Sequence, residues 1–207
     1  MITITNVETF GWESAIRGMR NPKNSWDMSD SEFDIGIYGG FEAGENDLKL
    51  MKSLSKAGSD HGKFLRMINV TMDVNAPLYW WKEFDTYKVG TVANSCSTMH
   101  KIHAKEFVLD DFSHEHLDDD TLDWMEGTIE LLNNKRECFI LSKSKAYWWQ
   151  LIQLLPSSYN QKRTVQLNYQ VLKNMYHARK HHKLDEWRDF CAWVKTLPYS
   201  ELITGEE

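Results

Sequence analysis

The chain is poor in cysteine and proline, and positive charge is not in excess. Its 207 residues include three cysteines and four prolines, and the formal net charge is −6. The cysteines are odd in number and form no Cys-x-x-Cys pair, which argues against a zinc ribbon or a disulfide scaffold and indicates a reducing compartment. The negative net charge argues against broad, non-specific nucleic-acid binding, which needs a strongly basic face.

Long apolar runs are also missing. The first residues, MITITNVETFGW, lack the basic start and continuous apolar core of a signal peptide. No stretch of the sequence is apolar for the length that a membrane span requires. We therefore expect a soluble, cytoplasmic protein without a membrane partner. A chain of this length supports one sizeable core, so a single domain over residues 1–207 is expected.

Charge and aromatic residues are unevenly distributed. Positive charge is concentrated in residues 179–183, RKHHK, and acidic residues are concentrated between Asp110 and Asp123. This division predicts a local cationic site and a separate acidic surface. The acidic stretch includes His114-Glu115-His116, which we interpret as part of a solvated loop rather than a metal site, because the two histidines are only two residues apart. The nine tryptophans are expected to fill the core and subunit interfaces.

The hydrophobic spacing predicts a helix-rich α+β domain with few strands. Period-two alternation predicts strands over residues 65–74 and 161–167. Residues 22–44 are rich in Asn, Ser, Asp and Gly and predict a long loop, of a length that is more often functional than idle. Residues 90–98 predict a second, polar loop. Helices are predicted over 13–19, from a cap at Asn46 to Gly58, and over 78–88, 121–133, 143–155, 169–179 and 184–196.

The most informative stretch is the passage from the strand at 161–167 through Asn168 into the helix at 169–179. Asn168, Asn174 and Arg179 follow one another at intervals of six and five residues. At 100° per residue these intervals place one amide at the helix start, one amide on its side and a guanidinium near its end. Such an arrangement suits an extended, polar, phosphate-bearing ligand laid along the helix.

The order of these residues resembles the C-terminal signature of the flavin-dependent thymidylate synthases (ThyX). Leu155-Pro156 matches the family's Leu-Pro. Asn168 and Asn174 match the two asparagines that face the flavin in that family, and Arg179 matches the arginine that holds the deoxyuridylate.

Two upstream segments extend the resemblance. An ungapped alignment places His61 where the family has a flavin-contacting histidine, and Ser14-Ala15-Ile16-Arg17 resembles the family's N-terminal Ser-Ala-Val-Arg helix. The resemblance covers most of the chain outside residues 22–44 and 105–141.

This resemblance implies an α+β, ThyX-like domain with a small antiparallel sheet surrounded by helices. It implies a homotetramer with flavin sites between subunits, FAD as cofactor, and NADPH and methylene-tetrahydrofolate as co-substrates. The implied reaction is methylation of dUMP, or of a related pyrimidine nucleotide, at C5. In that reaction the reduced flavin carries the hydride and mediates methylene transfer. The protein supplies orientation and electrostatics rather than a nucleophile, so no catalytic side chain is assigned.

The sequence departs from the family at the phosphate site. The family's Arg-His-Arg is replaced by Thr86-Tyr87-Lys88, and the preceding glutamine is replaced by Glu83. Lys88 retains one point charge, and one inserted residue would align Ser97 with a family serine. Because Thr and Tyr replace a bidentate guanidinium poorly, the family's mode of dUMP binding is expected to be altered.

Three functions therefore remain open. The first is a divergent, FAD-dependent, thymidylate-synthase-like enzyme. The second is a non-catalytic protein that binds or sequesters a nucleotide on the same scaffold, and the third is an oligomeric interaction module. The predicted flavin residues are His61, Asn168 and Asn174, and the predicted nucleotide residues are Arg179, Lys88, Ser97 and Glu83.

Overall fold

The computed structural model describes residues 1–35 and 40–206, which form two compact units. Unit 1 comprises Met1–Ile4, Asp73–Thr86 and Ala93–Thr164. Unit 2 comprises Thr5–Met72, Tyr87–Val92 and Val165–Glu207.

Helices and short strands alternate along the chain. The strands are β1 (Thr3–Phe10), β2 (Glu32–Ile35), β3 (Gly40–Glu42), β4 (Asn69–Pro77), β5 (Val92–Ser95) and β6 (Asn160–Asn168). The helices are α1 (Trp12–Arg20), α2 (Glu45–Lys56), α3 (Leu78–Phe84), α4 (Asp119–Ser142), α5 (Lys145–Leu154), α6 (Tyr169–Arg179), α7 (Asp185–Val194) and α8 (Glu201–Thr204). Short 3₁₀ turns occupy Asn21–Lys23, Trp26–Met28, Gly62–Arg66 and Leu109–Asp111.

Four strands form one small antiparallel sheet in the order β1-β4-β6-β5. Along β4 the residues Val70, Met72, Val74 and Ala76 are buried, and the residues between them are partly exposed. This alternation is the one that the sequence predicted for residues 65–74, although the strand begins four residues later. The predicted α+β class with a small antiparallel sheet is confirmed.

The core of unit 1 lies where α4 packs against α5. Its buried members are Ile102, Phe107, Phe112, Ile129, Leu132 and Leu151. The carboxylate of Asp118 caps α4 by accepting a hydrogen bond from the backbone N–H of Thr121 at 3.0 Å. The helix continues to Ser142, nine residues beyond the predicted end, because residues 134–142 contain no Gly or Pro and the chain leaves the helix only where Lys143 adopts a left-handed conformation.

An aromatic cluster marks the core of unit 2. The ring of Trp12 stacks on Phe41 with centroids 4.8 Å apart, and it meets Tyr169 and Tyr199 edge to face. Phe41 lies on β3, which pairs antiparallel with β2 in a hairpin. Part of the predicted loop 22–44 is therefore strand and 3₁₀ turn, and residues 36–39 of that loop lie outside the described residues.

A buried ion pair anchors the start of that hairpin. Arg20 Nε donates to Asp47 Oδ1 at 2.6 Å, and both side chains are almost fully buried. The second oxygen, Asp47 Oδ2, accepts from the hydroxyls of Ser29 and Ser31 at 2.7 Å each. It also accepts from the backbone N–H groups of Asp30 and Ser31 at 3.2 Å. Asp47 thus satisfies several donors of the segment that leads into β2.

The prediction that Asn46 caps the second helix is wrong. The helix begins at Glu45 after Gly44, and its N-terminal N–H groups are satisfied from a distance. The carboxylate of Asp30 accepts from the backbone N–H groups of Asn46 and Asp47, at 2.9 and 3.1 Å. A capping side chain sixteen residues away in sequence leaves no local signal.

Two further boundaries differ from the prediction. Helix α3 ends at Phe84 rather than at residue 88, because the Glu83 carbonyl accepts both the N–H and the hydroxyl of Thr86. The predicted polar loop 90–98 contains β5, whose residues are exposed and show no apolar alternation. Among the described residues, no helix is long and apolar enough to cross a membrane.

Candidate functional site

Asn168 stands at the junction of β6 and α6 in unit 2. Its side-chain oxygen accepts a hydrogen bond from the backbone N–H of Val171 at 3.1 Å, so it caps the helix. The predicted helix, residues 169–179, matches α6 residue for residue. The side-chain nitrogen of Asn168 faces Gly90, because a Cβ added at Gly90 would lie 3.0 Å from it. The absence of a side chain at Gly90, whose φ is +78°, therefore allows this segment to pass close to the amide.

Asn174 lies on the exposed side of α6. The buried face of this helix carries Val171, Leu172, Met175 and Tyr176, and Asn174 falls outside it. The side-chain oxygen of Asn174 accepts from Gln170 Nε2 at 3.0 Å, one turn earlier. The core of unit 2 does not require this amide, which leaves it available to a ligand.

His61 precedes the 3₁₀ turn Gly62–Arg66, and this turn packs on α6. A Cβ added at Gly62 would lie 3.8 Å from Gln170 Oε1, so the backbone after His61 lies beside the first turn of α6. His61 itself is exposed. The structure therefore brings the segment that starts at His61 to the same helix that carries Asn168 and Asn174.

Arg179 ends α6 and is held by two aromatic residues. Its Nε donates to the Tyr87 hydroxyl at 3.0 Å, and its guanidinium carbon lies 4.9 Å from the ring centroid of Trp187. The same carbon is 5.7 Å from the Tyr87 ring. Trp187 is fully buried and Arg179 is half-buried, so the guanidinium rests on a fixed surface.

The sequence did not identify Tyr87 and Trp187 as partners of Arg179. In the sequence, Tyr87 stands where the family has a histidine, and Trp187 is one of nine tryptophans expected to fill the core and subunit interfaces. The one available signal was the aromatic residue at a position where the family has a cation-rich motif. Because Tyr87 and Arg179 are 92 residues apart, the sequence does not show that they are in contact.

The segment from Tyr87 to Gly90 lies along α6. Tyr87 contacts Arg179 at the end of the helix, and Gly90 lies against Asn168 and Val171 at its start. Lys88 lies between these two contacts and is exposed. Of the predicted nucleotide residues, Arg179 therefore lies at the end of α6, and Lys88 lies on the segment beside the same helix.

Another lysine of α6 has a structural role. Lys173 Nζ donates to the backbone oxygen and to the hydroxyl of Ser55, at 2.7 and 2.8 Å. Desolvation by burial lowers the pKa of Lys173. This amine joins α6 to the end of α2, so Arg179 and Lys88 are the better candidates for an anionic ligand.

The remaining predicted residues, Glu83 and Ser97, belong to unit 1. The hydroxyl oxygen of Ser97 accepts from the backbone N–H groups of Met99 and His100, at 3.3 and 2.8 Å. This is a local turn of the kind that serine commonly forms. Glu83 is half-buried near the end of α3.

Unit 1 contains a second guanidinium on a tryptophan, which the sequence did not reveal. The guanidinium carbon of Arg163 lies 4.2 Å from the ring centroid of buried Trp81. Its Nε donates to Gln161 at 3.0 Å and its Nη1 to Asp85 at 2.7 Å. Arg163 was part of a predicted strand, and its long-range partners gave no pattern in the sequence.

No metal site accompanies these groups. Within residues 1–35 and 40–206, no three His, Cys, Asp or Glu side chains are arranged to hold a metal ion. The protein groups that the residues around α6 can offer to a bound molecule are amides, an imidazole and cations.

Comparison with known proteins identifies the fold. No family model and no curated protein matches the sequence. In contrast, a structure of Thymidylate Synthase X (ThyX) from Helicobacter pylori with FAD and dUMP superimposes with a TM-score of 0.71. The match covers 100% of this chain and 98% of that chain at 16% identity. The chain has the ThyX fold.

Two other structures support this result. A second flavin-dependent ThyX structure from H. pylori, complexed with FAD and dUMP, matches with a TM-score of 0.68 at 17% identity and covers 98% of each chain. The UMP/dUMP methylase PolB from Streptomyces cacaoi, bound with 5-Br dUMP, also gives 0.68 at 16% identity, over 99% of this chain and 95% of that chain. The ThyX-like fold predicted from the sequence motifs is confirmed. The ligand-binding roles of individual residues stay predictions.

Proposed function

We propose that this chain is a divergent ThyX-like enzyme that binds FAD and acts at C5 of dUMP or a related pyrimidine deoxynucleotide. The observation that carries the proposal is the location of the matched residues within the ThyX fold. Asn168 caps α6, Asn174 lies on it, and the segment that begins at His61 packs on the same helix. Structural neighbours that contain FAD and dUMP support the choice of ligands.

The residues around α6 fit a flavin. Two amides and an imidazole are neutral groups that can donate to or accept from the carbonyl and nitrogen edge of an isoalloxazine ring. Lys63 and Arg66, on the turn after His61, are exposed and offer positive charge to a diphosphate. When bound, the flavin would supply hydride chemistry, with NADPH as reductant and methylene-tetrahydrofolate as one-carbon donor.

The residues of this chain would bind and orient rather than react. Arg179 would contact a nucleotide phosphate or a pyrimidine carbonyl, and Lys88 would add a point charge. Ser97 and Glu83 are proposed as further nucleotide residues by the resemblance alone. The same resemblance supports a homotetramer with flavin sites between subunits, and the low cysteine content supports a cytoplasmic location.

A flavin titration tests the proposal. Purified protein should quench the fluorescence of added FAD with micromolar or better affinity. His61→Ala and Asn174→Ala should each weaken binding about three- to tenfold, as expected for the loss of one hydrogen bond. Asn46→Ala is the matched control, because Asn46 is an exposed amide on a different helix, α2. A protein that does not quench FAD at saturating concentration would refute the proposed function.

A second candidate function is binding without turnover. The replacement of Arg-His-Arg by Thr86-Tyr87-Lys88 favours it, because positioning of the phosphate can contribute several kcal/mol to catalysis. Release of tritium from C5-labelled dUMP, in the presence of FAD, NADPH and methylene-tetrahydrofolate, distinguishes the two. Binding of dUMP without tritium release would support a sequestering protein. A protein that binds neither FAD nor dUMP would favour the third function, an oligomeric interaction module.

A further inference from the structure

Helix α4 has an apolar face that its own unit leaves exposed. Trp124 is 80% exposed, Leu131 43% and Leu141 85%. The buried residues of the helix, Ile129 and Leu132, face the core of unit 1. At 100° per residue, Trp124 and Leu131 lie roughly 150° around the helix from Ile129. The helix is therefore apolar on two opposite sides, whereas a helix that covers one core needs only one.

The exposed face repeats every seven residues. With Trp124 at heptad position a, Leu131 and Cys138 also fall at a, and Gly127, Asn134 and Leu141 fall at d. Cys138 Sγ donates to Asn134 Oδ1 at 4.0 Å, so these two side chains meet on one strip of the helix. A heptad repeat along a helix is the pattern by which one helix pairs with another.

No neighbour within unit 1 requires a glycine at position 127 of α4. A Cβ added there would meet nothing within 4 Å. Glycine within a helix costs about 1 kcal/mol relative to alanine. In a parallel helix pair, the hole that receives a side chain at position a includes the following d residue of the partner. Gly127 enlarges the hole that a second copy's Trp124 would fill.

The charges beside the seam select a parallel pair. Position g carries Asp123, Glu130 and Glu137, and position e carries Thr128, Lys135 and Ser142. In a parallel pair, g of one helix meets e of the other five residues on, which places Glu130 beside the partner's Lys135. In an antiparallel pair, g faces g, and carboxylates would face carboxylates.

We propose that α4 is a self-association surface, which pairs in parallel with α4 of a second copy of this chain across a two-fold axis. Trp124, Leu131 and Cys138 lie along the seam, and each meets its own counterpart, as symmetry requires for a surface of this kind. The pairing does not depend on FAD or nucleotide binding.

Cysteine cross-linking tests the pairing and its direction. Cys96 is exposed, so the background variant is Cys96→Ser. Cys191 is 4% exposed, and burial raises the pKa of its thiol to about 11, so it can be retained. In this background, a thiol oxidant such as diamide should convert two Cys138 thiols into one intermolecular disulfide, with reduction of the oxidant. Cys138→Ser should abolish the product. Absence of the Cys138 disulfide would overturn the proposal.

A second cysteine distinguishes the two directions. Trp124→Cys in the same background should give disulfides between equivalent positions, identified by mass spectrometry of the linked peptides. A product that links position 124 to Cys138 would show an antiparallel pair and would also overturn the proposal.

Charge and core variants test the same surface without cysteine chemistry. Leu131→Lys should weaken self-association about tenfold or more in sedimentation velocity, whereas Leu154→Lys, at an equally exposed position (43%) at the end of α5, should not. Glu130→Lys should weaken it roughly fivefold, because two symmetric ion pairs are lost. Adding Lys135→Glu to that variant should restore it. An unchanged mass distribution for Leu131→Lys would contradict the pairing.

Discussion

Removing the Tyr87 hydroxyl tests whether Arg179 is held in position for a nucleotide. The hydroxyl accepts from Arg179 Nε at 3.0 Å, while the guanidinium rests 4.9 Å above buried Trp187. Tyr87→Phe keeps the ring and removes one oxygen. The guanidinium would then keep its stacking but lose one hydrogen bond that restrains its orientation.

The size of the effect follows from the contacts that are lost. An intramolecular hydrogen bond contributes about 0.5–1.5 kcal/mol, so Tyr87→Phe should weaken dUMP binding roughly three- to tenfold. Arg179→Ala removes a charged hydrogen-bond donor to the nucleotide, worth about 1.5–3 kcal/mol, and should weaken binding roughly ten- to a hundredfold. Arg179→Lys should recover only part of this loss, because lysine keeps the charge but cannot form the bidentate fork.

Titration calorimetry with dUMP is the appropriate assay. Tyr147→Phe, which removes a hydroxyl from α5 in unit 1, serves as the matched control and should bind as the unmodified protein does. Arg179→Ala also loses the stacking on Trp187, which contributes about 1 kcal/mol, so its melting temperature should fall by a few degrees. The protein should remain folded at 25 °C, and FAD binding should be nearly intact.

One result would refute this reasoning. If Arg179→Ala and Tyr87→Phe both bind dUMP with unchanged affinity, then Arg179 is a structural residue and the nucleotide is held elsewhere. A fall in affinity for Arg179→Ala alone would keep Arg179 in the site and remove Tyr87 from it.

Three further predictions concern the framework of unit 2. Asp47→Asn should lower the free energy of unfolding by about 3–5 kcal/mol in urea titrations, because it leaves Arg20 buried without its counter-ion. Burial acts to raise the pKa of Asp47, but hydrogen bonds from Ser31, Ser29 and Arg20 lower it overall. The stabilisation by ionised Asp47 should therefore be complete above the ordinary carboxyl pKa of 3.8 and should decrease as the pH falls from 3.8 toward the lower pKa of the folded state. The melting temperature of Asp47→Asn, measured as a control, should depend less on acid pH. Gly90→Ala should weaken FAD binding at least threefold, because its Cβ would press on the Asn168 amide at 3.0 Å, whereas Gly205→Ala, with a similar φ and open space, should cost only stability.

The sequence predicted the elements whose signals are local. The strand-to-helix passage at Asn168 and the full extent of α6 were readable because a capping side chain, an apolar face and a cationic end all lie within twenty residues. The buried alternation along β4 was readable for the same reason. Motifs in the correct order then predicted the ThyX-like fold, although overall identity to the two ThyX structures from H. pylori is only 16–17%.

Interactions between distant residues were not readable. Asp30 caps α2 from sixteen residues away, and Arg163 contacts Asp85 across 78 residues. Strand β2, Glu-Phe-Asp-Ile, does alternate polar and apolar residues, but it is four residues long and lies in a stretch rich in Asn, Ser, Asp and Gly, so composition indicated a loop. For Asp30 and Arg163 the partner is one that only the folded chain brings near, and periodicity carries no information about such partners.

The structure shows which contacts are made by the residues that replace the family's Arg-His-Arg. From the sequence, Thr86-Tyr87-Lys88 is a loss of phosphate-binding charge. In the structure, Tyr87 accepts a hydrogen bond from Arg179, and Lys88 lies between the two contacts that this segment makes with α6. The segment thus retains one exposed cation and fixes one guanidinium. Because the family also has an arginine at the position of Arg179, positive charge has been lost from residues 86–88 and kept at the end of α6. We therefore propose that a nucleotide is held chiefly from the end of that helix.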